Sequence, residues 1–573
     1  MAKKILFQKN NPPVIFVKQP VTTGIPNPPP LMTISPYIAN LLQKYQENLK
    51  PSTAKEVTRI HVDEIASKVA YLYERIIKII DWKEENLLRR NAIERFLKRN
   101  LITELSKVNF ILKTNVAEIS ELLVRELIRG GHLPNDEINQ EKIPAVQKIV
   151  EKYLSIIKNA PFDNSSFILR KRVNFYNWIL EIAACEIEEI LSPPVKENDL
   201  METMTLLMAE RIRLEPENSL SEEEKILQTY IAVHRTLFDL DEAIIAYHLL
   251  KYRFPQWKES PATLLDQVTK NIFSIQKSLE DDLHHPLGRE FFNLCEKTDT
   301  SFILIGDILD EFRNDPQRLP GIFNGKTELK THLARFYNQR LVTLKSRLFK
   351  LAIFSSLSVF VSNWFTFFVI EVPLAHLFYE GFNLPAAVFD FFIPTIAMFL
   401  LVAAIKVPPE TNLDKVVKLT YKFIYFDEEK ETYEIRLKKK KRPISSFFII
   451  TFYVLTCLAF LGAVGWFFRF VRIPITSVFL DTAGIVLNVF AALVIRNKAK
   501  EITVEEKTSF GEFLLDIISL PVAEIGSWLA SKWKEYNIVS VFFNVVIETP
   551  FTKFIDFLEN WRQFLKERKA AFH

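Results

Sequence analysis

Two uncharged stretches in the second half of the chain constrain its fold more than any other feature. Leu351–Ile370 has 20 residues without a charge, and Ser445–Phe468 has 24. Because an α-helix rises about 1.5 Å per residue, either stretch can cross a hydrocarbon core of about 30 Å. Each is therefore predicted to be a transmembrane helix.

A second apolar stretch, interrupted by a single acid, follows each of these spans. Asp390 lies in Phe382–Ile405 and Asp481 in Ile473–Ile495, each after eight uncharged residues that include a proline. The two halves therefore look like copies of one hairpin. The sequence predicts four transmembrane helices in two hairpins, residues 346–406 and 445–498.

An acid inside a membrane span must be protonated, hydrated or paired, because an isolated buried carboxylate is costly. Three interpretations of Asp390 and Asp481 stay open. Each can lie near the first turns of its helix and be wetted from outside, or pair with Arg469 and Arg472 on the outer side. In the third, both acids face each other or a water-filled path.

The distribution of basic residues predicts the topology. Twenty lysines and arginines lie in Arg335–Lys350, Lys406–Arg442 and Arg496–Lys507, whereas the hairpin loops hold only Arg469 and Arg472. By the positive-inside rule, both termini and a basic linker, residues 407–444, lie in the cytoplasm of an inner-membrane protein.

The end of this linker is a run of five basic residues, predicted to contact anionic lipid headgroups: Lys438, Lys439, Lys440, Lys441 and Arg442. The formal net charge is only +4. No nucleic-acid partner is therefore expected.

The first half of the chain has helical periodicity, with breaks at glycine and proline. It predicts a Pro-rich extended tail, residues 1–36, and an all-α cytoplasmic domain, residues 37–345. Only 13 glycines occur in 573 residues, which disfavours Rossmann-type folds. The predicted helices are Ser52–Trp82, Asn86–Lys98, Ile102–Arg129, Lys142–Lys158, Ser165–Leu191, Glu197–Leu214, Ser221–Phe238, Asp241–Phe254, Pro261–Asp282 and Gly288–Phe312.

The linker and the C-terminal region have mixed patterns. Lys418–Phe426 and Thr432–Leu437 could form a small β-hairpin, although Leu413–Phe426 also fits an amphipathic helix. Residues 499–573 are predicted to form amphipathic helices, interrupted at Pro521 and Pro550. These helices could lie on the inner leaflet or pack on the soluble domain, and Ile538–Ile547 could insert into the membrane.

The strongest metal-like pattern is weak. Asp281, His284 and His285 have helical spacing suited to a divalent ion. Pro286 follows directly, so a solvated helix end, where histidines favourably meet the helix dipole, is the preferred interpretation. The chain has no H-E-x-x-H, P-loop or G-x-S-x-G motif, so no catalytic residue, no cofactor and no enzymatic activity are predicted.

Three segments resemble polytopic membrane proteins of minimal-genome bacteria: residues 60–67, Glu121–His132 and Pro521–Lys566. The resemblance implies no activity. The leading hypothesis is a non-enzymatic membrane protein whose helical scaffold domain is anchored by two hairpins. The domain is expected to bind a protein partner, which the sequence does not identify. The alternative is an oligomeric channel or transporter, assembled from several copies, that uses Asp390 and Asp481.

Overall fold

The protein, as a computed structural model, consists almost entirely of α-helices. The described residues are 34–49, 58–62, 82–102, 115–162, 168–216, 219–366, 368, 372–373, 384–403, 405–426, 430–436, 443–471, 475–500, 502–503, 510–535 and 561. They contain nineteen α-helices and two four-residue strands. The predicted all-α class is confirmed.

Thirteen helices of the first half pack around one hydrophobic core, here called the helical domain. They are α1 Pro36–Asn48, α2 Trp82–Leu97, α3 Val116–Arg129, α4 Lys142–Asn159, α5 Ile168–Leu191, α6 Val195–Arg211, α7 Glu222–Leu237, α8 Glu242–Arg253, α9 Ala262–Lys270, α10 Ile272–Leu283, α11 Gly288–Glu296, α12 Asp299–Glu311 and α13 Leu319–Asn324. A π-helical turn, Lys98–Ile102, follows α2, and a 3-10 turn, Pro316–Arg318, precedes α13.

Side-chain caps explain where two of these helices begin. Ser221 and Glu224 form a reciprocal capping box at the start of α7. The Asp241 carboxylate accepts a hydrogen bond from the Ile244 N–H at the start of α8, at 3.0 Å.

Two predicted helices are each divided in the structure, and one is shortened. Pro261–Asp282 breaks at Asn271, and Gly288–Phe312 breaks at Lys297 and Thr298. Asn and Thr side chains compete with helical hydrogen bonds, so both are reasonable helix ends. The predicted helix Glu197–Leu214 ends at Arg211, and the next four residues form strand β1, Ile212–Glu215.

The expected cytoplasmic linker packs into the helical domain. Its helix α16, Thr411–Ile424, buries Val416, Val417, Phe423 and Ile424 in the core. The apolar residues three and four positions apart explain this helix, which confirms the helical alternative for Leu413–Phe426.

The predicted β-hairpin of the linker is therefore wrong, although its second strand exists. Strand β2, Tyr433–Arg436, pairs in parallel with β1 of the helical domain, with Ile212 opposite Tyr433. Ile435 of β2 is buried in the same core. The strand thus finds its partner more than two hundred residues earlier in the chain.

Five further helices carry most of the exposed apolar surface. They are α14 Lys326–Thr366, α15 Leu384–Ala403, α17 Pro443–Val471, α18 Ile475–Ala499 and α19 Phe510–Glu535. Helix α15 packs on α14 and α18, while α19 packs on α18 and α17. These helices, with α14 counted from Leu351, are here called the apolar bundle.

Two helices of the described chain, rather than the four predicted, are long and apolar enough to cross a membrane. The qualifying stretches are Ile450–Phe467 of α17 and Thr482–Ala499 of α18. In α15 the apolar stretch is the shorter Pro394–Ala403. In α14, four serines and Asn363 lower the hydropathy between Leu351 and Thr366.

Helix α19 also differs from its prediction, because it continues through Pro521 instead of ending there. Proline is tolerated in helices of membrane proteins because neighbouring groups re-satisfy the freed backbone carbonyl. The helix packs on α17 and α18. This position was not among the predicted alternatives for the segment.

The buried side chain of Asn412 joins three segments near the place where the apolar bundle meets the helical domain. Asn412, at the start of α16, donates hydrogen bonds from Nδ2 to the Tyr337 hydroxyl of α14 (2.9 Å) and to the Ile502 carbonyl oxygen (2.7 Å). Ile502 lies three residues after the end of α18. This side chain therefore holds α14 and the segment after α18 on α16.

Candidate functional site

The three weak metal candidates lie at the C-terminal end of α10, whose last residue is Leu283. The His284 Nδ1 atom is 3.0 Å from the Glu280 carbonyl oxygen, and its Nε2 atom is 3.6 Å from Glu242. His285 Nδ1 accepts a hydrogen bond from the Leu287 N–H. In the described part of the chain, no group of three or more His, Cys, Asp or Glu residues is arranged to hold a metal ion.

The two acids of the predicted spans occupy matching places in their helices. Asp390 is the seventh residue of α15, and Asp481 is the seventh residue of α18. These two helices pack against each other, and both end at the core of the helical domain, through Val402 and Ala499. The acids therefore lie in the halves of their helices that point away from the domain.

The predicted arginine partners of these acids are placed only in part. Arg469 is exposed, two residues before the end of α17. Arg472 and the side chains of both aspartates lie outside what the structure describes. The proposed ion pairs therefore stay a prediction.

Polar contacts inside the apolar bundle involve residues that the sequence interpretation missed. Arg496 of α18 holds the Asp516 carboxylate of α19 with two hydrogen bonds, of 2.5 and 3.3 Å. The Tyr453 hydroxyl of α17 donates to the Glu524 carboxylate of α19. Asp516 and Glu524 could have been singled out in the sequence, because they are the only charged residues between Phe513 and Ser531.

Helices α18 and α19 run antiparallel at very close distance. A Cβ atom at Gly526 would lie 2.5 Å from the Val486 carbonyl oxygen and 2.7 Å from the Phe490 Cβ atom. Val486 is ten residues before Arg496, and Gly526 is ten residues after Asp516, so the ion pair and the close contact belong to one register. Small residues at such contacts are typical of helices that pack in membranes.

A network of buried charges fills the centre of the helical domain. Glu186 of α5, 1% exposed, accepts hydrogen bonds from Lys152 Nζ (2.5 Å), the Tyr153 hydroxyl (2.7 Å) and the Trp257 indole N–H (3.0 Å). The Lys152 ammonium also lies 4.6 Å from the centre of the Trp257 ring. Burial lowers the pKa of Lys152, and the Glu186 carboxylate opposes that shift.

The next two glutamates of α5 are paired in the same way. Glu188 accepts from Arg89 at 3.0 Å, and Glu189 accepts from Lys251 at 2.6 Å and from Lys258 at 3.0 Å. Burial would raise the pKa of Glu189, but the two lysines outweigh it and lower the pKa. These pairs leave each buried carboxylate with a cationic partner.

A cavity of about 20 Å³ lies beside these pairs, lined by Arg90, Cys185, Glu188, Glu189 and Tyr247, among others. Such a volume holds one water molecule. Arg90 itself is paired with Asp241 at 2.5 Å. The network is therefore suited to fixing the packing of α4, α5 and α8 in one arrangement.

No protein-family model, no curated protein and no solved structure matches the chain.

Proposed function

We propose that this chain is a non-enzymatic integral membrane protein in which the apolar bundle anchors a cytoplasmic helical scaffold domain. The observation that carries the proposal is the surface of α17. Ten large apolar side chains between Phe447 and Phe470 are exposed, including Trp466 at 70% and Phe470 at 75%.

Such a surface is costly in water. Each large apolar side chain left exposed forgoes about 1.5–3 kcal/mol of burial, and contiguous exposed patches of this kind mark membrane or protein contacts. Further exposed apolar residues lie on α14 and α15, including Phe354, Val361, Phe392 and Leu400. Lipid tails would cover all of these helices, so we propose that α14, α15 and α19 lie in the membrane beside α17 and α18.

We infer the side of the membrane from charge. Basic residues Arg347, Lys350, Arg496 and Lys498 lie where the apolar bundle meets the helical domain. The positive-inside rule then favours a cytoplasmic domain. The run Lys438–Arg442, which lies outside the described residues, directly precedes α17 in the sequence, and we propose that it meets anionic headgroups.

The scaffold role rests on how firmly the domain is attached. Helix α14 runs from the domain into the apolar bundle, and Val402 of α15 and Ile495 of α18 are buried in the same core cluster as the domain. A domain held in this way keeps one orientation to the membrane. That is what a platform for a protein partner requires.

A charge placed on α17 tests the membrane anchor. Leu455→Arg changes a residue in the middle of the span that is 58% exposed, whereas Val342→Arg changes a residue of α14, 67% exposed, that lies outside the apolar stretch. We expect Leu455→Arg to reduce the fraction that stays in membranes after alkaline carbonate extraction, and Val342→Arg to leave it unchanged. Equal behaviour of the two variants would contradict a lipid-facing α17.

The second candidate function is an oligomeric channel or transporter, and the packing of α15 on α18 favours it specifically. This packing joins the two helices that carry Asp390 and Asp481. Ion flux into vesicles containing the purified protein tests this candidate. Under it, Asp390→Asn or Asp481→Asn should abolish flux with little loss of thermal stability.

A further inference from the structure

The carboxylate of Glu524 lies on the outer surface of the apolar bundle. Glu524 is on α19, eight residues after Asp516, which places it about 12 Å along the helix from the ion pair with Arg496. Its side chain is exposed, and so are those of Leu520 and Trp528, one turn before it and one turn after it. An acid therefore lies among apolar side chains on a surface that faces away from the bundle.

Two serines continue this polar surface along α19. Ser527 and Ser531 follow Glu524 by three and seven residues, and both are exposed. Since a helix turns by about 100° per residue, the three side chains lie within about 60° of one another. Gly526, which meets Val486 of α18, is on the opposite face. Glu524, Ser527 and Ser531 are here called the polar stripe.

The carboxylate of Glu524 has one hydrogen-bond donor, the Tyr453 hydroxyl of α17. Within the part of the chain that the structure describes, no lysine or arginine pairs with it. Arg496, at the domain side, holds Asp516 instead. A carboxylate can accept about four hydrogen bonds, and an acid inside a membrane is costly unless it is paired. In a membrane, the described residues therefore leave most of the bonding capacity of Glu524 unused.

We propose that the polar stripe binds a transmembrane helix of another protein, and that a lysine or arginine of that helix pairs with Glu524. The inference rests on the proposed function, since it needs α19 to lie in the membrane. Acidic and basic side chains inside membranes pair with one another. Serines at helix contacts allow a close approach because their side chains are small. The stripe supplies both features on one face.

Charge argues against a second copy of this chain as the occupant. Homo-oligomers are usually symmetric, and an axis along the membrane normal would place the Glu524 side chains of two copies at the same depth. Two carboxylates that face each other in a low dielectric repel. Arg469 is sixteen residues after Tyr453 on α17, about 24 Å along the helix, which is too far to reach Glu524 of a neighbouring copy. A basic residue of another protein avoids this conflict.

Binding is measured on the full-length protein, immobilised in detergent, with fluorescent transmembrane peptides as probes. The peptides are leucine–alanine helices of about 20 residues. They differ at one position, about 12 Å from the cytoplasmic end, which holds lysine in one peptide and leucine in the other. We expect the wild type to retain the lysine peptide about ten-fold more tightly, as polar contacts between membrane helices allow.

Glu524→Gln tests the charge, because the amide oxygen can still accept the hydrogen bond from Tyr453. This variant should lose the preference for the lysine peptide. Glu121→Gln is the matched control, since it removes an exposed acid of the helical domain and should keep the preference.

A second variant covers the case in which Glu524→Gln fails to fold. Ser527→Trp keeps the charge but fills the polar stripe with a large side chain, so it should weaken retention of the lysine peptide about ten-fold. Leu455→Trp adds the same side chain at an exposed position of α17, two residues after Tyr453 and therefore on the other side of that helix. It should retain the lysine peptide as the wild type does.

Three results would overturn the proposal. They are equal retention of the two peptides by the wild type, an undiminished lysine preference in Glu524→Gln, and unchanged retention of the lysine peptide by Ser527→Trp. A wild type that is dimeric in detergent, with a monomeric Glu524→Gln, would assign the polar stripe to a second copy and overturn the helix of another protein.

Carbonate extraction of the wild-type protein separates this proposal from the membrane anchor. Release of the wild type into the soluble fraction would refute the anchor. Retention in the membrane without a preference for the lysine peptide in detergent would refute the docking of a basic helix alone.

Discussion

Gly526 lies so close to Val486 that a side chain at position 526 would meet the Val486 carbonyl oxygen at 2.5 Å. Gly526→Ala should therefore push α19 away from α18 and cost about 1–3 kcal/mol. Gly462, Gly465 and Gly484 have no atom within 4 Å of their Cβ position, so Gly462→Ala is the matched control. Thermal unfolding of the purified protein in detergent compares the two, and equal melting temperatures would exclude the close contact.

The antiparallel register of α18 and α19 predicts where α19 ends. Asp516 pairs with Arg496 at the domain side, so Glu535, nineteen residues further, should lie on the opposite side of the membrane. In a Cys457→Ser background, a cysteine at Glu535 should react with a membrane-impermeant thiol reagent applied to intact cells. A cysteine at the exposed Lys330 should react only after permeabilisation, and the reverse pattern would place the helical domain outside.

Opposite charges at positions 496 and 516 should be interchangeable. Arg496→Asp puts two acids together at the base of the bundle and should lower the melting temperature. Adding Asp516→Arg restores an ion pair with reversed polarity and should recover part of the loss. Failure of the double variant to improve on the single one would mean that the pair does not hold α19 in place.

The buried Glu186 carboxylate should stabilise the helical domain by compensating the Lys152 ammonium. Glu186→Leu leaves the Lys152 ammonium without its carboxylate and should cost about 3–5 kcal/mol. Glu121→Gln breaks an exposed pair with Arg125 in α3 and should cost less than about 0.5 kcal/mol. Adding Lys152→Met to Glu186→Leu should recover most of the lost unfolding free energy, as measured by denaturant unfolding. If the double variant is no more stable than Glu186→Leu, the unpaired Lys152 ammonium is not the cause of the loss.

Acid should destabilise the helical domain through its buried histidines. Burial lowers the pKa of His234 from 6.5 to about 3 and that of His132 from 6.5 to about 4. The unfolded chain then binds more protons below pH 6.5, so stability is complete above that pH and falls as the pH drops towards 4. Each histidine should cost about 2 kcal/mol at pH 5.

Melting temperatures between pH 5 and 7.5 check this dependence. His234→Gln should flatten the profile, whereas His284→Gln, at an exposed helix end, should leave it as in the wild type. If the melting temperature of His234→Gln falls with pH as steeply as that of the wild type, His234 does not cause the acid destabilisation.

Much of the helical domain could be predicted from the sequence because its helices have strong local signals. The ends of α4, α7 and α8 differ from their predicted positions by at most one residue, since apolar periodicity, the Ser221 capping box and the Asp241 cap are all local. Strand β1 could not be predicted in this way. Four residues have too little pattern, and the strand exists only because β2 pairs with it.

The polar contacts of the apolar bundle could not be predicted from the sequence for a related reason. Asp390 and Asp481 attracted attention because they interrupt long uncharged stretches. Glu524 also interrupts a largely uncharged stretch, but its partner Tyr453 is 71 residues away. Only the packing of α19 on α17 brings the two side chains together.

The pairing of β1 with β2 has a consequence for synthesis on the ribosome. The core of the helical domain needs α16 and β2, and Ile34 forms a bridge with Tyr425. These partners leave the exit tunnel only after α14 and α15. Insertion of the first apolar helices therefore precedes completion of the domain, and a ribosome stalled before Thr411 would hold a domain that exposes its unfinished core.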